Sequence, residues 1–396
     1  AKLLANRLKI KTVVEYKKFG TALIPLTNGH IEIASARTET YESNSRKPKI
    51  KFSSIEQDMS RRDFTINAMA SCINIEKFGD LYDPFGGIKD LHKGLLITPL
   101  EPDETFIDDP LRMLRAARFS AQLNFDVAPN IIDSITRNNE RIKIISWERI
   151  TEEIIKMLSS EKPSIAFYIL KETNLLKYIF PELDIMPGVD IVNGQGHKDV
   201  FIHTLQVVDN AAKLTNKMKI RFAALVHDIA KPQTKRYHKN KGWTFHAHEV
   251  IGVYVMNKVA KRMKLSKSLR DYLNQMIKLH LRPIALAKKG VTDSAIRRLM
   301  VESRDHEGNE IIDDLMILCR ADITTKNPKK VDKYIRNFEK VEQLMKDVKL
   351  RDEAKSFRCP IDGHEIMNKF QLTEGRVVGK IKSAIETAIL DGIIDN

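Results

Sequence analysis

Two sets of side chains in this sequence are of types, and at spacings, that can do chemistry. The first lies in the string DDPLRMLRAARF, residues 108–119. Asp109, Arg112, Arg115 and Arg118 recur every third residue, so on a helix they sweep one side, while Leu111, Leu114 and Phe119 hold the rest in a core. Asp108 or Asp109 can cap the free N–H groups at the helix start, and Pro110 suits a first turn. Guanidinium forks grip phosphate oxygens, and an Asp–Arg pair can present hydrogen bonds to the edge of a base. A row of arginines beside one carboxylate therefore has the shape of a nucleoside triphosphate site. Taken alone, the pattern equally describes an amphipathic helix whose arginines face water and pair with acids on a neighbour.

The second set is His203, the adjacent pair His227-Asp228 and Asp322, with His246, His248 and His280 between them. The pair directly follows the apolar run Phe222–Val226, which drives it to the buried end of a helix. Neutral imidazole nitrogen beside anionic carboxylate oxygen suits a divalent metal. A metal there would activate water against phosphomonoesters or phosphodiesters, with Lys231 nearby to steady the anion. A lone buried histidine would more often be a satisfied core residue.

The elements that must position these groups can be read along the chain. Residues 1–70 alternate strands and short turns: residues 19–26 and 31–36 read as a hairpin closed at Asn28-Gly29, and residues 37–51, polar and with Pro48, read as a loop. Before them, AKLLANRLKI reads as the middle of a helix. From about residue 105 the apolar spacing is helical, over 111–123, 154–158, 202–214, 220–229, 250–263 and 314–320. The fold class is thus α+β, a head of strands and helices followed by an all-helical neck, body and tail. The expected division is 1–98 for the head, 99–178 for the neck with the arginine helix, 179–325 for the body and 326–396 for the tail.

The chain has 396 residues, ample for several compact units, and 42% apolar content excludes a mostly disordered chain. Lys and Arg number 66 against 52 Asp and Glu, a net +14 that favours a polyanionic partner, nucleic acid before acidic lipid. No apolar stretch approaches the ~18 residues of a membrane span. Three separated cysteines, Cys72, Cys319 and Cys359, form neither a disulfide framework nor a zinc motif, and with no leader segment the reading is a cytoplasmic protein.

Four strings, in order, carry a resemblance: RRDFTINA (61–68), DPFGG (83–87), DDPLR (108–112) and ERITEE (148–153). Together they resemble the class II CCA-adding tRNA nucleotidyltransferases and the similar bacterial poly(A) polymerases. That resemblance implies template-free addition of C, C and A to tRNA from CTP and ATP with Mg²⁺. It implies that Arg62 contacts the incoming nucleotide, that Asp109 and Arg112 hydrogen-bond the base, and that Arg115 and Arg118 hold the triphosphate, with Asn67 and Asp63 as buttresses. Asp108 stands where the family usually has Glu. Glu32 matches a third head carboxylate, but no Asp-x-Asp precedes Phe19-Gly20-Thr21, so the expectation is that roughly 50 head residues are absent or unlisted and that the chain as written does not polymerise. Residues 37–51 correspond to the flexible loop that A-adding members need.

The order His203, His227-Asp228, Asp322 resembles the HD-domain metal phosphohydrolases, with HAHExxG (246–252) similar to the region that follows the metal pair. It implies His203, His227, Asp228 and Asp322 as ligands of a divalent metal, with His248 and His280 as further candidates. Gly375 and Gly379, at the start of the last helix, resemble the tRNA-docking tail, where free N–H groups could hold an RNA phosphate. The alternatives carried forward are poly(A) polymerase, a stand-alone HD phosphohydrolase, and a tRNA-binding module without turnover.

Overall fold

A computed structural model describes residues 1–16, 20–40, 49–192, 195, 196, 198–287, 291–304, 308–356 and 361–390. The chain forms two compact units, Ala1–His280 with Ile317–Thr324, and Leu281–Met316 with Thr325–Asn396. Both candidate sites lie in the first unit.

That unit begins with a short helix, Lys2–Arg7. Three antiparallel strands follow, Val14–Tyr16, Thr21–Leu26 and Gly29–Ala34, in that spatial order. Leu26 pairs with Gly29, so the turn is Thr27-Asn28, one residue earlier than expected. Gly29 adopts φ +129°, a conformation open to glycine alone, and this lets it join the ladder. Strand Val14–Tyr16 escaped the sequence reading because all three of its residues are exposed and give no alternation. Residues 37–51 are not a loop throughout: Arg37–Thr40 pairs with Lys49–Phe52, Arg37 opposite Phe52, and the span 41–48 lies outside the described residues.

Helix Ile55–Ser60, capped by the Ser54 hydroxyl accepting from the Gln57 N–H at 3.3 Å, carries the chain to Arg61, Arg62 and Asp63. The DPFGG string then explains itself. The Asp83 carboxylate accepts from the Gly87 and Ile88 N–H groups at 2.7 and 2.9 Å, starting helix Gly87–Lys93. A Cβ on Gly87 would lie 2.3 Å from the Thr65 carbonyl oxygen, so only glycine lets this helix sit against the turn Thr65–Asn67. The Thr65 hydroxyl donates to Asp90 at 2.7 Å and closes the contact.

The arginine helix, Leu111–Leu123, buries Leu111, Met113, Leu114, Ala116, Ala117 and Ala121 and packs on helices Trp147–Leu158 and Ser164–Glu172. The alanines permit close approach on the buried side. In the body, helices Val200–Leu214, Met218–Val226, His248–Arg262 and Lys267–Leu279 form the scaffold of the second site. A Cβ on Gly252 would meet Ile277 at 2.8 Å, which sets how closely the last two of these helices pack. Arg221, 4% exposed, donates to the carbonyls of Leu158, Ser160, Ala212 and Thr215 and to Asn216 Oδ1, tying the end of the neck helix to the body.

The second unit holds helices Arg282–Leu286, Asp293–Glu302, Pro328–Ser356, Gly363–Phe370 and Arg376–Leu390. Asp362 and Glu365 form a reciprocal capping box at the fourth. Among the described residues no helix is long and apolar enough to cross a membrane.

Gly87→Ala forces a methyl into backbone carbonyl and is expected to cost about 1–3 kcal/mol of stability. Urea or thermal melts of the purified protein measure it; an unshifted transition would contradict the close approach.

Candidate nucleotide pocket and metal centre

The arginine helix, the segment 61–67 and the start of helix Trp147–Leu158 enclose a cavity of about 430 Å³, lined by Arg61, Arg62, Asp63, Asn67, Asp109, Arg112, Arg115, Phe119 and Arg149. Its size is that of a small-molecule site, and its wall is dominated by guanidinium. Asp63, 6% exposed, organises one side: its Oδ2 accepts from Arg115 Nε at 2.7 Å and lies 2.5 Å from Arg115 Nη2, and its Oδ1 accepts from the Phe64 N–H at 2.9 Å and Asn67 Nδ2 at 3.1 Å. Arg112 is held by two carbonyls, donating to Arg61 O at 2.5 Å and Thr105 O at 3.2 Å. Asp109 Oδ1 accepts from the Leu111 N–H at 3.1 Å, just ahead of a helix whose N-cap residue is Pro110.

Asp58 stands behind the pocket. It accepts from Arg61 Nη2 at 2.6 Å, from the Arg37 backbone N–H at 3.1 Å and from Arg62 Nη2 at 3.4 Å. Burial pushes its carboxyl up, but the Arg61 bond and charge, the Arg37 N–H and the Arg62 charge outweigh that and leave it below the ordinary value. Asp108, by contrast, is raised, because burial outweighs the Arg112 charge.

Arg62, Asn67, Asp109, Arg112 and Arg115 are thus brought together. Arg118 is not: it is 8% exposed, its Nε donates to Glu153 Oε2 at 2.6 Å, its Nη1 donates to Gln122, and its guanidinium carbon lies 4.0 Å from the centroid of the Phe119 ring. Threefold spacing drifts around a 3.6-residue helix, and by the fourth residue the series has turned from the cavity into the neck. Glu32 is exposed on strand Gly29–Ala34 and belongs to no group of potential metal ligands among the described residues. Gly375 immediately precedes helix Arg376–Leu390 and Gly379 lies in its first turn, where a Cβ would meet nothing within 4 Å.

In the body, one cluster gathers six residues from five segments. His203 comes from helix Val200–Leu214. His227 and Asp228 follow the end of Met218–Val226, and His248 opens His248–Arg262. His280 ends Lys267–Leu279, and Asp322 lies just past helix Ile312–Ala321. Two subsets each keep their ligand atoms within 4.8 Å of one another: His203, His227 and Asp322, and Asp228, His248 and His280. Asp228 joins them, with Oδ2 3.1 Å from His227 Nε2 and 3.5 Å from His203 Nε2, and Oδ1 3.3 Å from His248 Nε2 and 3.7 Å from His280 Nε2.

The proton positions follow from chemistry. The Nδ1 atoms of His227, His248 and His280 face the carbonyls of Ala224, Phe245 and Ile277 at 2.8, 2.8 and 2.7 Å; a carbonyl only accepts, so each Nδ1 carries hydrogen. In the neutral rings each Nε2 is then a bare lone pair aimed inward. His248 Nε2 and His280 Nε2 face one another at 3.3 Å, and His227 Nε2 and Asp228 Oδ1 are buried without a hydrogen-bond partner. Facing ring nitrogens beside an unpartnered carboxylate oxygen are the donor set of a divalent metal, so these residues fit one. Lys231 Nζ lies 2.5 Å from Asp228 Oδ2 and supplies part of the compensation.

The charges adjust to one another. Burial raises Asp228, but His227, Lys231 and His203 hold it well below the carboxylate range; Asp322 is lowered against its own burial, mainly by His203. Burial lowers His203 and His248, yet hydrogen bonds to Asp228 (and Asp322 for His203) leave both above the usual imidazole value. Burial, helped by the His227 charge, drops His280 to about 4.

Three family models match the chain: the Poly A polymerase head domain over residues 1–97, the probable RNA- and SrmB-binding site of polymerase A over 124–186, and the HD domain over 200–327. A Multifunctional CCA protein of Nitrosomonas europaea is 33% identical over 301 residues, 71% of this chain and 69% of that protein. The chain belongs to the CCA-adding tRNA nucleotidyltransferase family. A Multifunctional CCA protein of Hahella chejuensis is 36% identical over 228 residues, 55% of this chain and 51% of its own length, so the chain spans between about half and somewhat over two thirds of these relatives. In fold, the chain is similar to a tRNA nucleotidyltransferase solved with a primer tRNA and an ATP analogue (TM-score 0.59, 21% identity, 87% of this chain and 86% of that one). It is also similar to the Thermotoga maritima CCA-adding enzyme solved with tRNA (0.53, 20%, 100% and 80%).

Arg61 and Arg149 line the cavity without having been singled out from the sequence, and Phe119, expected in the core with Leu111 and Leu114, lines it too. Arg61 and Arg149 sit inside the strings that carried the resemblance. What spacing could not tell is which arginine of RR, or that the arginine of ERITEE, turns inward. Thr324, whose hydroxyl lies 3.0 Å from His203 Nδ1, gave no signal at all.

Arg118→Ala leaves the buried Glu153 with Lys156 alone, 3.5 Å away and half exposed, and is expected to destabilise by about 3 kcal/mol, while an Arg118→Met/Glu153→Leu double variant recovers most of the loss. Chemical denaturation of the three proteins measures it; equal instability of single and double variants would count against a merely compensated pair.

Metal uptake must displace the protons of His203 and His248. Because their affinity for protons is raised, apparent metal affinity is expected to climb with pH through the window above the ordinary imidazole value of 6.5, about tenfold per unit for each proton displaced, then level off. His280, neutral down to about 4, adds no slope there. Chelator competition between pH 6 and 9 reads it, and a flat profile would contradict the assignment.

Proposed function

We propose that the protein adds C, C and A to the 3′ ends of tRNA from CTP and ATP, its own side chains choosing the base. The observation that carries this reading is the cavity in which Asp109 and Arg112 share a wall with Arg62 and Arg115. A base edge needs both donor and acceptor: Arg112, fixed by two carbonyls, offers donors, and the Asp109 carboxylate offers an acceptor. Arg115, braced by Asp63, and Arg62 present charge to a triphosphate. Arg118, locked in the neck, braces the helix and Phe119 in place of touching phosphate. Family membership, and relatives named as Multifunctional CCA proteins, support the same reading.

Mg²⁺ would supply activation of the attacking 3′-hydroxyl and stabilisation of the leaving pyrophosphate. Among the described residues Glu32 is the head carboxylate that would face it, and one carboxylate does not hold such a pair. The body supports a second activity, hydrolysis of phosphoesters at the HD cluster, because orphaned Nε2 and Oδ1 atoms converge there. The tail helix with Gly375 and Gly379 is proposed to dock tRNA.

With a tRNA lacking its terminus, the product is expected to be three residues long; an open-ended ladder would mean poly(A) polymerase instead. Removing Arg115 takes away charged hydrogen bonds worth about 1.5–3 kcal/mol, so Arg115→Ala is expected to weaken CTP and ATP binding about ten- to a hundredfold by calorimetry. Asp109→Ala is expected to blur C-versus-A preference more than it weakens binding; unchanged preference removes the base-reading assignment.

A further inference from the structure

The twenty residues 229–248 carry Lys231, Lys235, Arg236, Lys239 and Lys241, no acid, and three aromatics, Tyr237, Trp243 and Phe245. Strands Arg236–His238 and Gly242–Thr244 pair antiparallel and form a hairpin whose base belongs to the HD cluster. Lys231, paired with Asp228, lies 5.7 Å from the centroid of the Phe245 ring, and the Phe245 carbonyl fixes His248 Nδ1. Tyr237 and Trp243 are directly opposite across the strands, ring centroids 5.4 Å apart at 67°, and Lys235 Nζ lies 5.6 Å from the Trp243 centroid. Lys235 also meets Asp190. The tip, His238 to Lys241, is exposed, and Arg236, Lys239 and Lys241 have no acidic partner among the described residues.

We propose that this hairpin is a docking arm for single-stranded RNA that presents the strand's 3′-terminal phosphate to the HD cluster; the inference rests on the phosphohydrolase reading of that cluster. The chemistry selects the partner. Uncompensated cations spaced along a ribbon suit a chain of phosphates, and aromatic faces beside them suit unpaired bases, each of which offers a π-face. A duplex hides those faces. A lipid surface would want apolar residues at the tip, which is instead His-Lys-Asn-Lys. An isolated phosphate would need only the cluster. In the hydrolytic step, water attacks phosphorus, the bond from phosphorus to the ribose oxygen breaks, that oxygen leaves as a hydroxyl with a proton from the attacking water, and orthophosphate is released.

The chain has two tryptophans, Trp147 and Trp243, so Trp147→Phe leaves Trp243 as the sole indole reporter. Titration of that protein with a six-nucleotide single-stranded RNA bearing a 3′-phosphate is expected to quench its fluorescence, and a duplex of equal length is not. A Lys239→Ala/Lys241→Ala variant, changed only at the exposed tip, is expected to flatten the slope of log K against log salt by about 1.4, two contacts at about 0.7 each. It is also expected to raise KM for phosphate release from the oligonucleotide about tenfold, with hydrolysis of p-nitrophenyl phosphate in added Ni²⁺ unchanged. Absence of quenching, equal quenching by duplex, or an unchanged slope each overturns the docking arm. Failure of the wild-type protein to hydrolyse p-nitrophenyl phosphate overturns the phosphohydrolase reading, and with it the presentation of a phosphate for cleavage, while quenching and slope still decide whether RNA binds.

Discussion

A buried carboxylate must be compensated, and both centres of this protein are built around one that is. Asp63 and Asp228 have side chains 5% and 1% exposed. An ionised carboxylate at such depth costs several kcal/mol unless donors or cations surround it. In the head, the compensation is a guanidinium, an amide and a backbone N–H, and the consequence is an Arg115 held in one orientation at the cavity wall. In the body, the compensation is Lys231 and a ring of imidazoles whose inward nitrogens converge on Asp228. One constraint thus yields an arginine braced at the cavity wall in the first case and a cluster of candidate metal ligands in the second.

The arginines show how depth assigns work to one residue type. Arg221, inside the first unit, spends its donors on backbone and amide oxygens and acts as a clasp between neck and body. Arg118 is consumed by Glu153 and the Phe119 ring. Arg112 spends part of its fork on two carbonyls, which fixes its plane while an edge still meets the cavity, and Arg62, half exposed, keeps the most freedom. A graded series of this kind suits recognition of a flat base next to a mobile triphosphate: the base reader needs a fixed plane, and the phosphate contacts need reach.

The sequence made much of this legible, for physical reasons that also mark its limits. Helices 111–123 and 202–214 were read nearly to their ends, because their apolar periodicity is set by the same core they bury. The gathering of His203, His227, Asp228, His248, His280 and Asp322 was legible, since their order along the chain set them beside apolar runs that bury them together. The strand at Val14–Tyr16 and the paired arms of 37–52 were not, because exposed strands impose no alternation. The place of Arg61 at the cavity and the turn of Arg118 into the neck go with tertiary contacts to Asp58 and Glu153, which no spacing along one helix encodes.

The charge balance of the HD cluster explains why its surroundings are so basic. Asp228 and Asp322 bring two negative charges to a place that would receive another anion, and the nearest lysine, Lys231, is already engaged by Asp228. Divalent ions between the imidazoles would neutralise the carboxylates but leave little surplus to draw in a phosphate chain. The surplus must come from outside the cluster, where solvent lets cations stand without partners. The segment 229–248, cationic throughout and free of acids, occupies that position in the chain and in the fold. Its aromatic pair then adds what charge alone lacks, a preference for bases over other polyanions.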